Sequence, residues 1–191
     1  MTLTDEERLQ YAVAEPEEKY KLCSTAHTKV NVVKAILNKH QHQQTLVIGA
    51  YIDQLEELGR ELDCPVIQGG STKNKEREIL FDRFRTGELQ TLVVSKVANF
   101  SIDLPEASVA VQVSGTFGSR QEEAQRLGRL LRPKHDGGQA HFYSVVSRDT
   151  LDADYAAHRQ RFLAEQGYAY RITDADDLLG PTIGDPPTSA D

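Results

Sequence analysis

The chain has 191 residues, 39% of them hydrophobic, which is enough for one compact domain with a buried core. No apolar run approaches the roughly 20 residues that span a bilayer, and no basic-then-apolar leader is read at the start, so no membrane role and a cytoplasmic location are expected. Net charge is −7, but residues 1–20 carry six acids against two bases and residues 173–191 carry five acids and no base, leaving a net of +2 for 21–172. Charge therefore neither supports nor excludes a nucleic-acid partner. Cys23 and Cys64 have no Cys or His at metal-ligand spacing, so a zinc site is not expected and both read as reduced thiols. His40 and His42 read as a solvated loop.

In chain order, residues 4–40 read as helical. Thr4 and Glu7 have the form of a capping box. Pro16 opens a second helix. Val30, Val33 and Leu37 form the apolar stripe of a third. Alternation follows. Thr45–Ile48 reads as a strand, and Ile52–Leu62 as a helix with Leu55, Leu58 and Leu62 on one side. Pro65–Ile67 is a short strand, and Gly69-Gly70-Ser71 a turn. Lys73–Arg85 is a helix burying Ile79, Leu80 and Phe84 and stopped at Gly87. Leu92–Ser95 and Val109–Val113 are strands, Ser119–Leu131 a helix, His141–Val146 a strand, and Asp152–Gln166 a helix ended by Gly167. Strands that are apolar throughout and alternate with helices indicate an α/β fold with a parallel sheet covered on both faces. Such sheets bind ligands at the carboxyl ends of their strands. Ser71, Lys96 and Gly115–Gly118 all follow strands. The chain from Gly180, rich in Pro, Gly, Ser and Asp, reads as disordered.

Two stretches carry chemistry. Leu92 to Ala107 is an apolar strand ending in Ser95-Lys96, then a polar loop through Ala98 and Asn99 to Asp103-Leu104-Pro105. The loop can set Ser95 and Lys96 against a phosphodiester backbone and the Asp103 carboxylate on a ribose hydroxyl. In the second, Gln125-Arg126-Leu127-Gly128-Arg129-Leu130-Leu131-Arg132, Gly128 marks a close backbone approach. Arg129 and Arg132 share one face if the segment is helical. Two guanidinium groups so placed suit a phosphate gaining negative charge.

Ser95–Ala107 together with Gly118–Arg132 resembles motifs V and VI of a superfamily-two helicase, and specifically the second RecA-like domain of the XPB/RAD25 type of DNA repair helicase. Phe142–Val146, Asp149-Thr150, His158–Leu163 and Gln166-Gly167-Tyr168 extend the resemblance over most of 27–172. Where XPB relatives commonly have Gly then Asp after Ser-Lys-Val, this chain has Ala98 and Asn99. The resemblance implies a RecA-like parallel sheet sandwiched by helices over 27–172, a helical extension over 1–26 that follows a first RecA-like domain, and an acidic flexible tail over 173–191. It implies that Arg129 and Arg132 are arginine fingers reaching the γ-phosphate of ATP. Gln125, Gly128 and Asp103 would belong to the nucleotide site, and Ser71, Ser95 and Lys96 would contact DNA. Arg77 would support the Ser71 site. The implied partners are DNA, the first RecA-like domain of the same polypeptide and a repair nuclease.

The sequence has no G-x-x-x-x-G-K-[ST] phosphate loop. Asp5-Glu6-Glu7-Arg8 imitates the start of a metal-binding acidic motif, but it follows no apolar strand and lies in a capped helix. No metal ligand is therefore assigned here, and ATP and magnesium are expected to be bound mainly by the first domain. The chain alone is expected neither to hydrolyse ATP nor to unwind DNA. The alternative is a non-catalytic RecA-like module that docks DNA or protein.

Overall fold

The computed structural model describes residues 1–95, 107–115, 139–165, 167, 169 and 171–179. Among them the elements run α1 (Asp5–Val13), α2 (Pro16–Ser24), α3 (Thr28–Lys39), β1 (Thr45–Gly49), α4 (Ile52–Glu61), β2 (Val66–Ile67), α5 (Asn74–Arg85), β3 (Thr91–Ser95), β4 (Val109–Gln112), β5 (His141–Ser144), α6 (Leu151–Glu165) and α7 (Asp176–Leu179). The five strands form one sheet in the order β2-β3-β1-β4-β5, with every pairing parallel. Val47 of β1 stands between Val93 of β3 and Val111 of β4.

The sheet buries both faces because its strand residues alternate between two apolar layers. Val47, Val93, Val109 and Val111 meet Val30, Val33 and Ile36 of α3 and Leu55 and Leu58 of α4. Leu46, Ile48, Leu92, Val94 and Ala110 point the other way, onto Phe81 and Phe84 of α5. Phe84 is fully buried, and a cavity in its place would cost about 3–5 kcal/mol. At the end of α5 the chain reverses through Gly87, whose φ of 77° is open to glycine without strain.

Three local expectations need correction. Ile79 is 51% exposed, because the buried stripe of α5 runs through Phe81 and Phe84, about 140–200° around the helix from Ile79. His40 is not a solvated loop residue: it is buried, Nε2 lies 2.7 Å from the Tyr143 hydroxyl and Nδ1 lies 2.9 Å from Gln43 Oε1. His42 is exposed. The acidic segment from 173 is docked through 179: Ala175 enters the core layer under α3, Leu178 packs beside it, and Asp174 pairs with Arg148. Acidity suggested a free tail, but the two apolar residues fill a gap beside α3. Residues 180–191 lie outside the described residues. At the other terminus the capping box forms as expected, with Thr4 Oγ1 accepting from Glu7 N at 3.2 Å and Glu7 Oε2 from Thr4 N at 2.8 Å. Among the described residues no helix is long and apolar enough to cross a membrane.

Candidate functional site

In this strand order the chain leaves β1 toward β2 on one side and leaves β4 toward β5 on the other. The crevice between the carboxyl ends of β1 and β4 is the topological switch point, where open parallel sheets bind ligands. Here the chain's own polar groups occupy it. Ser114 Oγ accepts the Ala50 N–H at 2.8 Å. A Cβ on Gly49 would come within 2.8 Å of Leu55 Cδ2 and 3.0 Å of Ser114 Oγ, so glycine permits this close approach. Lys29, on the first turn of α3, is 1% exposed and donates from Nζ to the Val113 carbonyl and to Asp152 Oδ2, each at 2.7 Å. Asp152, at the start of α6, also accepts the Ser147 N–H at 3.1 Å. Ser147 Oγ donates to the Cys23 carbonyl at 2.7 Å. Burial pushes the Lys29 ammonium below its usual range, and the adjacent Asp152 works against that shift. One residue further along, the Tyr20 hydroxyl donates to the Gly115 carbonyl at 3.0 Å. Burial raises the Tyr20 pKa, so the phenol remains a proton donor at neutral pH.

The β2–β3 side of the same edge is built differently. The turn after β2 leaves Gly70 and Ser71 exposed. Behind them, Gly69 donates its N–H to Ser95 Oγ at 3.1 Å, and Gln68 donates its N–H to Thr72 Oγ1 at 2.9 Å. Arg77, from the first half of α5, reaches back so that Nη2 donates to the Gly69 carbonyl at 3.1 Å and the Thr72 carbonyl at 3.4 Å. Ser71 Oγ donates to Gln68 Oε1 at 2.6 Å. The result is a braced turn that presents an exposed hydroxyl, with the Arg77 guanidinium tied to backbone carbonyls behind it.

Of the residues the sequence singled out, Ser71 and Ser95 are thus brought to one turn, with Arg77 behind it. Ser95 is 4% exposed, and its hydroxyl holds the turn from inside the sheet. Lys96, Asp103, Gln125, Gly128, Arg129 and Arg132 lie outside the described residues. Sequence reasoning missed Tyr20, Lys29, Ser114, Ser147 and Asp152. One signal was available: Lys29 precedes Val33 by four and so lies on the apolar stripe of α3, where an unpaired lysine would be costly. Cys23 and Cys64 are free thiols, and burial pushes the Cys64 thiol up to about 11 and the Cys23 thiol upward as well.

A five-stranded parallel sheet, helices on both faces and a polar carboxyl edge define a RecA-like domain of the kind found in helicases. Residues 2–179 match the ERCC3/RAD25/XPB C-terminal helicase family, and the chain belongs to that family. It is 76% identical over 183 residues to the DNA 3'-5' helicase XPB of Mycobacterium tuberculosis, covering 96% of this chain and 33% of that protein. It is 34% identical over 185 residues to the general transcription and DNA repair factor IIH helicase/translocase subunit XPB of Drosophila melanogaster, covering 90% of this chain and 23% of that protein. The chain thus spans at most about a third of the length of these relatives. In fold it is similar to the C-terminal domain of the DEAD-box protein Dbp5, with a TM-score of 0.60 at 17% identity over 75% of this chain and 82% of that one. The helicase domain of Pyrococcus furiosus Hef gives 0.53 at 20% identity, over 69% of this chain and 27% of that one.

Proposed function

We propose that this chain is the second motor domain of an ATP-dependent DNA helicase or translocase of the XPB type, acting in DNA repair. The observation that carries the reading is the run Gln125–Arg132 in a chain whose residues 2–179 match the XPB C-terminal helicase family. ATP would lie between this domain and a first RecA-like domain. Arg129 and Arg132 would close on the γ-phosphate, with Gln125, Gly128 and Asp103 beside the nucleotide. Fingers of this kind neutralise charge that grows in the transition state and are worth about 10³–10⁵ in rate. The first domain would supply the phosphate loop and the magnesium ligands, since this sequence has no such loop. Among the described residues no group of three His, Cys, Asp or Glu converges on a cation site.

The filled switch point supports an interdomain nucleotide site. With the crevice between β1 and β4 taken by Ser114, Lys29 and Asp152, a nucleotide would bind outside it, against a second domain. Ser71, with Arg77 behind it and Lys96 after β3, would grip one strand by its phosphates without reading bases. Such binding weakens steeply with salt. Cycles of closure and release would then move the protein along DNA.

The test is DNA-stimulated ATP hydrolysis by a polypeptide carrying both RecA-like domains, wild type beside Arg132→Ala, with the 191-residue chain alone as control. The reading requires that the two-domain protein hydrolyses ATP, that Arg132→Ala lowers turnover by about 10³-fold or more, and that the isolated chain is silent. Undiminished turnover in the variant would remove the finger role and favour a non-catalytic docking module.

A further inference from the structure

We infer that Tyr20 is a positioning residue for ATP turnover, holding the exit of β4 in the register from which the finger-bearing segment departs. The inference rests on the proposed function. It starts from a contact 95 residues apart in sequence: the hydroxyl of Tyr20, on α2, donates to the carbonyl of Gly115 at 3.0 Å. Gly115 is three residues beyond the last residue of β4 and begins the Gly115–Gly118 run that leads to Gln125, Arg129 and Arg132.

The contact is over-determined on every side. Tyr20 is 5% exposed, and its ring meets Tyr155 of α6 edge-on, with centroids 4.9 Å apart. Two residues before Gly115, the Val113 carbonyl accepts from the buried Lys29 ammonium. Between them, Ser114 Oγ is bonded to the Ala50 N–H. Three consecutive residues, 113 to 115, are therefore each gripped by a different element: α3, the β1 exit and α2. The Arg159 guanidinium of α6 lies over Gly115 on the remaining side. A Cβ there would come within 2.9 Å of Arg159 Nη1, the far end of a long side chain that can yield, and within 3.3 Å of the Tyr20 hydroxyl oxygen, which would have to give by a few tenths of an ångström.

A strand exit in a parallel sheet does not need this much fixation to stay folded, because β4 is already paired on both sides and buried at Val109 and Val111. What the grip adds is a defined starting point for the next segment. Arginine fingers act through geometry, and a displacement of about 1 Å can cost a hundredfold in rate. Tyr20 also lies within the helical segment expected to follow the first RecA-like domain. Its hydroxyl thereby links the route between domains to the root of the finger segment.

The experiment is steady-state, DNA-stimulated ATP hydrolysis by the two-domain polypeptide in four forms: wild type, Tyr20→Phe, Gly115→Ala and the double variant, with Arg132→Ala alongside. Tyr20→Phe removes one oxygen and keeps the ring against Tyr155. We expect its kcat to fall about fivefold while the KM for ATP and the affinity for single-stranded DNA stay unchanged. Gly115→Ala approaches the same contact from the other partner and should give a similar loss, with the double variant no worse than the poorer single one. A purely structural role would lower the thermal midpoint and leave this split unmade. If Arg132→Ala is inactive while Tyr20→Phe keeps wild-type kcat, or if the two losses multiply, the positioning role is wrong and the helicase reading stands. If Arg132→Ala hydrolyses ATP like wild type, both fall together.

Discussion

The two halves of the carboxyl edge solve opposite problems with similar residues. On the β4 side, Lys29, Asp152, Ser114, Ser147 and Tyr20 are all buried, and among the described residues their hydrogen bonds tie strand ends and helices together. On the β2–β3 side, Ser95 is buried, but Gly70 and Ser71 stand outside it in solvent. One half uses polarity to lock backbone in place, and the other uses it to hold a turn out in solvent. Polar residues at the end of a parallel sheet are therefore not one site, and burial separates their roles.

The largest effect should come from breaking the locked half. Lys29→Met leaves Asp152 buried without its countercharge and should cost about 3–5 kcal/mol, read by urea denaturation. The partly exposed Lys34–Glu61 pair is the internal control, and Lys34→Met should hardly move the midpoint. Removing both charges of the buried pair with Lys29→Met and Asp152→Asn should not restore full stability. The Val113 carbonyl would still lack the donor that Lys29 supplied. Wild-type stability in the double variant would show that the pair matters only to itself and does not hold the β4 exit.

How much of this was legible in sequence follows the same division. The valine-rich strands and the order of elements could be read directly, because a strand buried on both faces must be apolar throughout. So could the capping box and the stop at Gly87, which depend on neighbours in sequence. Ile79 was misread because two stripes fit α5 and only the sheet decides between them. The Lys29–Asp152 pair spans 123 residues, so no local pattern shows it. His40 and Tyr143 meet only because α3 packs against the sheet. Ser71 and Ser95 could be named as partners of one function, yet their different depths appear only once β2 and β3 are side by side. Ala175 and Leu178 looked like part of an acidic tail because charge dominates that stretch.

The displayed half should respond in binding more than in folding. Arg77→Ala removes the charged donor to the Gly69 and Thr72 carbonyls. In the two-domain polypeptide it should weaken single-stranded DNA binding about tenfold, alike for all sequences, with a shallower salt dependence. Titrations at two salt concentrations measure both. Unchanged affinity would leave Arg77 as a brace for α5 and nothing more. Ser95→Ala should act more gently. The Gly69 N–H loses its acceptor, at about 0.5–1.5 kcal/mol, and DNA binding falls although Ser95 itself is 4% exposed. A loss in Ser71→Ala with none in Ser95→Ala would mean that the turn keeps its shape without the buried hydroxyl.

The smallest effect lies at the opposite end of α3 and tests whether the two ends of that helix are independent. His40 follows its last turn, with the His141 ring centroid 5.0 Å away and Lys39 beside it in sequence. Burial, reinforced by His141 and Lys39, lowers its pKa below 6.5, and the bond to Gln43 offsets part of that shift. In the unfolded chain the ring takes its proton near the usual value of about 6.5. Below that pH the unfolded state binds more protons than the folded state, so stability falls as pH falls, until the folded ring protonates too. Above it His40 contributes no pH dependence. The thermal midpoint of wild type should therefore drop more than that of His40→Gln between pH 7 and pH 5, while the two stay parallel from pH 7 to pH 8. Near-neutral ATP turnover by the two-domain polypeptide should be the same in His40→Gln as in wild type. Parallel midpoints over the whole range would mean that the folded ring accepts its proton as easily as the unfolded one.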